Sequence, residues 1–316
     1  MRTVTLPLLA VLGLCSLNTA RAADLDYDYL RGAEYEPVPA PVQVIDWSGV
    51  YVGGHGGYTA AGFSQRDAML STLQNYFSNR DIEGEFSVSK FLSIPGSRAH
   101  DTSFGAFAGF NAQFDDIVVG IEADYTHTNQ NGWASNSLSR IMTTTAGMSE
   151  SVYLAGKSNT AIDDYGSIRA RAGYAFGNLL PYITGGLAVG RVTINDSVAV
   201  QNYGYSATTY TANQSLATGT PAAIYNHGYL NFNPNYPLNN STPAGSGGQT
   251  VPYSPTTLLA NAKTKTIGGA ALGFGLEYAI TPNILVRGEY QYVLFQDFNG
   301  HSAELNTVRG GAALKF

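Results

Sequence analysis

The sequence predicts an all-β protein, an eight-stranded antiparallel transmembrane β-barrel with long extracellular loops. Three observations predict it. Of 316 residues only 13% are charged, about half the usual fraction, while glycine (36) and tyrosine (21) are abundant. Eight stretches alternate apolar and polar residues with the period of a strand that has two unlike faces. The connections between them alternate short and long, as they do when short periplasmic turns and longer outer loops join an even number of strands.

The chain opens with a basic Met1-Arg2, an apolar run from Leu6 to Leu14, and the small-x-small triplet Ala20-Arg21-Ala22. This reads as a signal peptide over 1–22, cut before Ala23, and its apolar run is too short to span a bilayer. Cys15 is the only cysteine, so the mature chain carries no disulfide framework. Without Arg2 and Arg21 the 17 basic residues become 15 against 23 acidic, a net charge of −8. That balance argues against nucleic acid as a partner. Residues 23–46 are acidic and then proline-rich, and read as a periplasmic tether.

The barrel is expected over 47–316. Its first strand starts at Trp47 with WSGVYVGGHGGYT. SFGAFAGFNAQF (103–114) and IVVGIEADYTHTN (117–129) follow, joined by Asp115-Asp116. GSIRARAGYAFG (166–177) and YITGGLAVGRVTIN (182–195) are joined by a short turn over 178–181. TKTIGGAALGFGLEYAIT (264–281) and ILVRGEYQYVLF (284–295) are joined by Pro282-Asn283. The tail NTVRGGAALKF makes the eighth strand. Between the pairs lie four longer segments, 60–102, 130–165, 196–263 and 296–306, expected as outer loops.

Facing within the strands sorts lumen from lipid. Ile117, Val119, Ile121, Ala123 and Tyr125 oppose Glu122 and Asp124. Ile168, Ala170, Ala172, Tyr174 and Phe176 oppose Arg169 and Arg171. Leu272, Phe274, Leu276, Tyr278 and Ile280 oppose Lys265 and Glu277. Ile284, Val286, Tyr290, Tyr292 and Leu294 oppose Arg287, Glu289 and Gln291, and Arg309 opposes Val308, Leu314 and Phe316. A charge on the lipid face costs about 2–4 kcal/mol at mid-bilayer, so the charged faces look inward. One strand is ambiguous, because Leu187 and Val189 share a face with Arg191. Trp47, Tyr125, Tyr174, Tyr182 and Tyr278 lie near strand ends and are assigned to the aromatic girdles.

The start ADL after the cut, the proline-rich segment, the motif Trp47-Ser48-Gly49-Val50-Tyr51-Val52-Gly53-Gly54, the eight strands and the final Lys315-Phe316 together resemble a known group. It is the small immunogenic outer-membrane β-barrel proteins of alphaproteobacteria, within the OmpA-type, porin-like barrel superfamily. The resemblance implies that Phe316 is the signal read by the barrel-assembly machinery. It also implies lipid and lipopolysaccharide of a Gram-negative outer membrane as surroundings, with host surface ligands as further candidate partners.

An eight-stranded barrel is just wide enough for its own side chains. Counting up from the turns puts Glu122, Arg171, Glu289 and Arg309 at one height, so both signs interleave into an ion network with Asp124, Arg169, Glu277 and Arg287. Removing Arg171 should then leave Glu122 or Glu289 under-paired. The favoured reading is a filled, non-enzymatic barrel that supports envelope integrity and surface interaction; a narrow porin is the alternative. Gly268–Gly273 mimics a phosphate-binding loop but sits inside a strand with no helix after it. His127 near Asp124 is the one candidate acid–base pair, and alternation sends the two to different faces. No cofactor or metal is expected. Some members of the resembled family bind haemin, and His and Tyr can ligate haem iron, so haem capture by His100, His127, His227 or His301, placed in loops or at the rim, stays a second alternative. From Ser197 to Ala262 there is no Asp, Glu, Lys or Arg in 66 residues, with seven tyrosines and nine asparagines. This segment is either a neutral exposed loop or a tyrosine-rich surface for glycan, receptor or host contact.

Overall fold

The computed structural model describes residues 45–238 and 248–316. The expected signal peptide, 1–22, and all of the expected tether except residues 45 and 46 lie outside the described residues. The strands are β1 (Gly49–Ser64), β2 (Ser97–Phe114), β3 (Ile117–Thr143), β4 (Met148–Tyr174), β5 (Leu179–Ser206), the short β6 (Asn226–His227), β7 (Tyr229–Asn231) and β8 (Val251–Pro252), then β9 (Thr256–Ala279), β10 (Ile284–Phe298) and β11 (His301–Lys315). The wall runs β1-β2-β3-β4-β5-β9-β10-β11, each strand antiparallel to its neighbour, and β11 pairs back with β1. Eight strands thus close into a ring with no free edge, which satisfies the backbone in lipid.

On the periplasmic side the connections are as short as the sequence predicts. The outer side departs from expectation. Segments 130–165 and 296–306 are mostly strand: β3 and β4 are 27 residues each and reverse over residues 144–147. β10 and β11 reverse at Asn299-Gly300, whose φ values of 57° and 77° are those of the mirror-image turn that suits a hairpin. Only 65–96 and 207–255 remain as long connections.

The strands differ in length. β3, β4, β5 and β9 have 24 to 28 residues, whereas β1, β2, β10 and β11 have 15 to 18. Since about 9–11 residues cross a bilayer at a tilt, one half of the wall stands well above the other as a palisade. The register shifts by one residue beside Asp163 in β4, against both β3 and β5. Such a bulge bends and twists the sheet.

The first long connection covers the palisade's inner face. In α1 (Leu70–Phe77), Leu73 and Phe77 are buried one turn apart. With Met69, Ile82 of α2 (Asp81–Phe86), Val88, Leu92 and Ile94, they pack on Ala134, Val152, Leu154, Val198 and Val200. The sequence predicts an outer loop over 60–102, and most of it folds into this apolar cap.

Outward faces form the lipid belt, with Val52, Phe110, Ile121, Ile168, Leu187, Phe274 and Leu314 all exposed. The ambiguous strand resolves: Leu187, Val189 and Arg191 all point outward, and Arg191 lies above the belt, paired with Asp164. Tyr125, Tyr174 and Tyr278 are outward and exposed. The girdle assignment of Trp47 and Tyr182 is corrected, because they are 0% and 3% exposed. Trp47 precedes β1 and turns under the barrel, and Tyr182 shares the inward parity of Leu180 and Thr184.

Candidate functional site

The lumen is stacked in layers. Its periplasmic floor is apolar: Ile45, Trp47, Tyr51, Phe107, Val118, Leu180, Ala279, Leu285 and Ala313. Above it lie Glu122, Asp124, Arg169, Arg171, Glu277, Arg287, Glu289 and Arg309, none more than 6% exposed. Four cations face four anions, so this layer is neutral. β-pairing sets Glu122 beside Arg169 and Glu289 beside Arg309. Arg169 donates to Glu122 at 2.6 Å and to Glu289 at 2.5 Å. Arg309 donates to Asp124 at 2.6 Å and to Glu289 at 2.9 Å. Arg287 reaches across to Glu122 at 2.5 Å. Arg171 pairs with Glu277 and stands 4.0 Å from Glu122. Its main partner is therefore Glu277, not the Glu122 or Glu289 expected from counting along strands.

Three aromatic side chains that the sequence reading placed elsewhere, or left out, complete the layer. The Tyr51 hydroxyl donates to Glu122 at 2.9 Å and that of Tyr182 to Glu289 at 2.8 Å. The Arg171 guanidinium lies 3.9 Å from the centre of the Tyr182 ring, and that of Arg287 lies 3.3 Å from that of Phe107. Such contacts offset part of the cost of desolvating a cation. Glu122 has Arg169 and Arg287 close by and Arg171 at 4.0 Å, and Glu289 has two arginines, whereas Glu277, among the described residues, has Arg171 alone.

Above the ions come hydroxyls and amides, Thr59 with Ser103 and Thr307 at 2.9 Å each and Gln130 on the Thr59 carbonyl. A second apolar layer follows, centred on Phe63, Ile162, Val192, Val293, Phe295 and Leu305. Over it lies a relay that strand alternation alone does not reveal. Gln65 donates to the Thr160 hydroxyl at 3.2 Å, Thr160 lies 2.9 Å from His301 Nδ1, and His301 Nε2 lies 2.9 Å from Asp196. Ser158 donates to the same carboxylate at 2.6 Å. The order hydroxyl–imidazole–carboxylate is that of a nucleophilic triad. Thr160 and His301 are nevertheless fully buried and Asp196 is 6% exposed, so the relay ties β4, β5 and β11 together beneath the cap.

The other histidines scatter. His127 points outward on β3 and Asp124 inward, which separates the acid–base pair as alternation requires. His100 stacks on Tyr58, and His227 meets Glu150 at 2.8 Å. His100 and His301 lie on strands, correcting their placement in loops, and His127 lies on β3. His55 faces the lumen, 3.4 Å from Arg309. Phe316 is 76% exposed at the lipid-side end of the ring, with its N–H donating to the Val50 carbonyl at 2.9 Å.

Within the uncharged segment, the described residues form α3 (Ala207–Gln214) and an aromatic cluster of Tyr203, Tyr205, Tyr210, Tyr229 and Phe232. Burial, with Tyr203, Tyr205 and Glu150 nearby, holds the Tyr229 phenol above its usual range. Tyr225 and Tyr253 remain 68% and 56% exposed. Chymotrypsin added to intact cells is therefore expected to cut at Tyr225 or Tyr253, and trypsin to spare 197–262. Mass spectrometry of the retained fragments checks this; cleavage only after permeabilisation would invert the topology.

The family model described as outer membrane protein beta-barrel domain matches residues 8–316. The chain belongs to this family. Over 187 residues it is 32% identical to the 31 kDa outer-membrane immunogenic protein of Brucella melitensis, covering 58% of this chain and 65% of that one. It is 28% identical over 170 residues to the 25 kDa outer-membrane immunogenic protein of Brucella abortus, covering 52% and 57%. The chain thus spans less than two-thirds of the length of these relatives. Among solved structures, Neisserial surface protein A is similar with a TM-score of 0.31 at 13% identity, covering 85% of this chain and 98% of that one. Ail of Yersinia pestis follows with a TM-score of 0.28 at 9% identity, covering 84% and 99%. Family and ring topology make the chain an outer-membrane β-barrel.

Proposed function

We propose that this barrel is a non-conducting, non-enzymatic envelope protein that acts through its outer surfaces, supporting membrane integrity and surface contact. The carrying observation is the neutral layer of four arginines and four carboxylates, held between two apolar layers. A porin needs a continuous aqueous path; here charge meets charge, an apolar floor closes the lumen below the ions, and a second apolar layer closes it above the hydroxyls. The buried Thr160–His301–Asp196 relay has no route for a substrate, which favours the non-enzymatic reading. Export by residues 1–22, tethering by 23–46 and recognition of Phe316 by the assembly machinery belong to the same reading.

The test is conductance. Purified protein inserted into a planar bilayer is expected to give no discrete current steps. Steps that persist in a sample pure by gel mobility would favour the narrow-porin reading. A second reading, capture of a host ligand by the outer loops, is favoured by the exposed Tyr225, Leu230 and Tyr253. Deleting 216–238 should then abolish cell binding without changing the amount of protein in the membrane.

A further inference from the structure

We propose that the outward face of the palisade, centred on Trp133, Asn159 and Lys157, binds the acidic core oligosaccharide of lipopolysaccharide standing beside the barrel. This deepens the surface-contact reading and rests on it.

The face is built by register. Trp133 on β3 pairs with Asn159 on β4, which pairs with Asn195 on β5. One row along, Ser135, Lys157 and Ser197 align in the same way. Two strand spacings of about 4.8 Å and a row spacing of about 7 Å give a footprint the size of two or three sugar rings. A recess of about 360 Å³ lies here, lined by Asn131, Trp133, Lys157, Ser158, Asn159, Asn195 and Ser197.

Three features give the recess the chemistry of a sugar site. Trp133 is 61% exposed, a large aromatic surface left open to water. An indole face held on a rigid strand suits the C–H face of a pyranose, and the N–H remains available as a donor. Asn159 lines the recess beside Trp133, and a side-chain amide can both donate to and accept from sugar hydroxyls. Lys157 is exposed, and among the described residues it enters no ion pair. The neighbouring segment 197–262 carries no charge, so Lys157 is the local attraction for an anionic saccharide.

Position selects the source. Tyr125 is the last outward aromatic of the lipid belt on β3, and His127, Asn129 and Asn131 follow it before Trp133. Eight residues at about 3.3 Å along a strand tilted by about 40° put Trp133 roughly 20 Å above Tyr125. The face looks sideways, along the same wall as the belt. What stands there in an outer leaflet is the saccharide of a neighbouring glycolipid, whereas a ligand on another cell would approach the loops from above.

The chain has two tryptophans, and Trp47 is fully buried, so a ligand-induced change in emission reports Trp133. Full-length mature protein in detergent would be titrated with core oligosaccharide released by mild acid from the producing strain's lipopolysaccharide. A saturable change in emission is expected. By calorimetry, Trp133→Ala should abolish binding, and Lys157→Ala or Asn159→Ala should weaken it about five- to tenfold. Heat-modifiable gel mobility shows whether each variant is still a folded barrel, and conductance tests the sealed-barrel reading separately. The proposal falls if no saturable change occurs, if a neutral dextran fragment binds equally, or if Asn159→Ala and Lys157→Ala bind as wild type. A heparin fragment binding more tightly than the core oligosaccharide would reassign the face to a host glycan. Dissociation of a dimer by Trp133→Ala would reassign it to a second copy of the chain.

Discussion

Replacing Arg171 with methionine is expected to lower stability by on the order of 3–5 kcal/mol, the usual cost of leaving a buried charge without its partner. The stranded group is Glu277, which is 1% exposed and, among the described residues, has no other cation within ion-pair distance. Arg169→Met should be the milder change, although Arg169 is fully buried and sits at the centre of the network. Glu122 would keep Arg287 at 2.5 Å and the Tyr51 hydroxyl, and Glu289 would keep Arg309 at 2.9 Å and the Tyr182 hydroxyl. Adding Glu277→Gln to Arg171→Met should restore most of the loss, because it removes the orphaned charge. Urea unfolding of protein refolded into phospholipid vesicles, read by gel mobility, measures these three variants and the single Glu277→Gln that completes the cycle. Equal losses for the two arginines, or strictly additive losses in the double variant, would show that Arg171 and Glu277 are not a coupled pair.

That ranking could not have been read from the sequence. Alternation alone assigns Glu122, Arg169, Arg287 and Arg309 to the inward faces, because a charge in lipid is so costly that parity follows from chemistry. Which residues meet across the lumen depends on the stagger between strands, and counting from the turns assumes none. Arg287 illustrates this: its neighbour by pairing is Glu277, yet its guanidinium reaches Glu122 on the far wall. The palisade was hidden for a different reason. Above the bilayer the outward face no longer needs to be apolar, so Asn131 to Ser139 lost the pattern that marks a membrane strand while keeping its backbone pairing. The cap over 65–96 was legible only in Leu73 and Phe77, a single helical turn. Nearness to a strand end is all that assigns Tyr182 to a girdle, and Arg191 on the face of Leu187 and Val189 leaves that strand's parity open; Arg191 faces outward above the belt, where solvent and Asp164 make a cation tolerable.

Trp47→Ala is expected to have an effect of similar size, about 3–5 kcal/mol, because it removes a large side chain from a packed core and leaves a cavity. Trp47 is fully buried against the floor residues, its backbone N–H donates to Gln113 Oε1 at 2.7 Å, and its indole N–H donates to the Gly177 carbonyl at 3.2 Å. The indole therefore joins the approach to β1 with the turn between β4 and β5, closing the lumen from below. Trp47→Phe should cost less, about 1–2 kcal/mol, since it keeps most of the apolar volume and loses one hydrogen bond. A tryptophan in an aromatic girdle would behave otherwise: its ring would be open to acrylamide quenching, and either replacement would be nearly neutral. The measurement is urea unfolding of the two variants in vesicles, together with quenching of Trp47 in a Trp133→Phe background. Ready quenching and unchanged unfolding would return Trp47 to the membrane interface. Conductance separates the floor from the rest of the seal. Trp47→Ala should admit water to the periplasmic end and still pass no current, because the ion layer and the apolar layer around Phe63 and Phe295 remain above it.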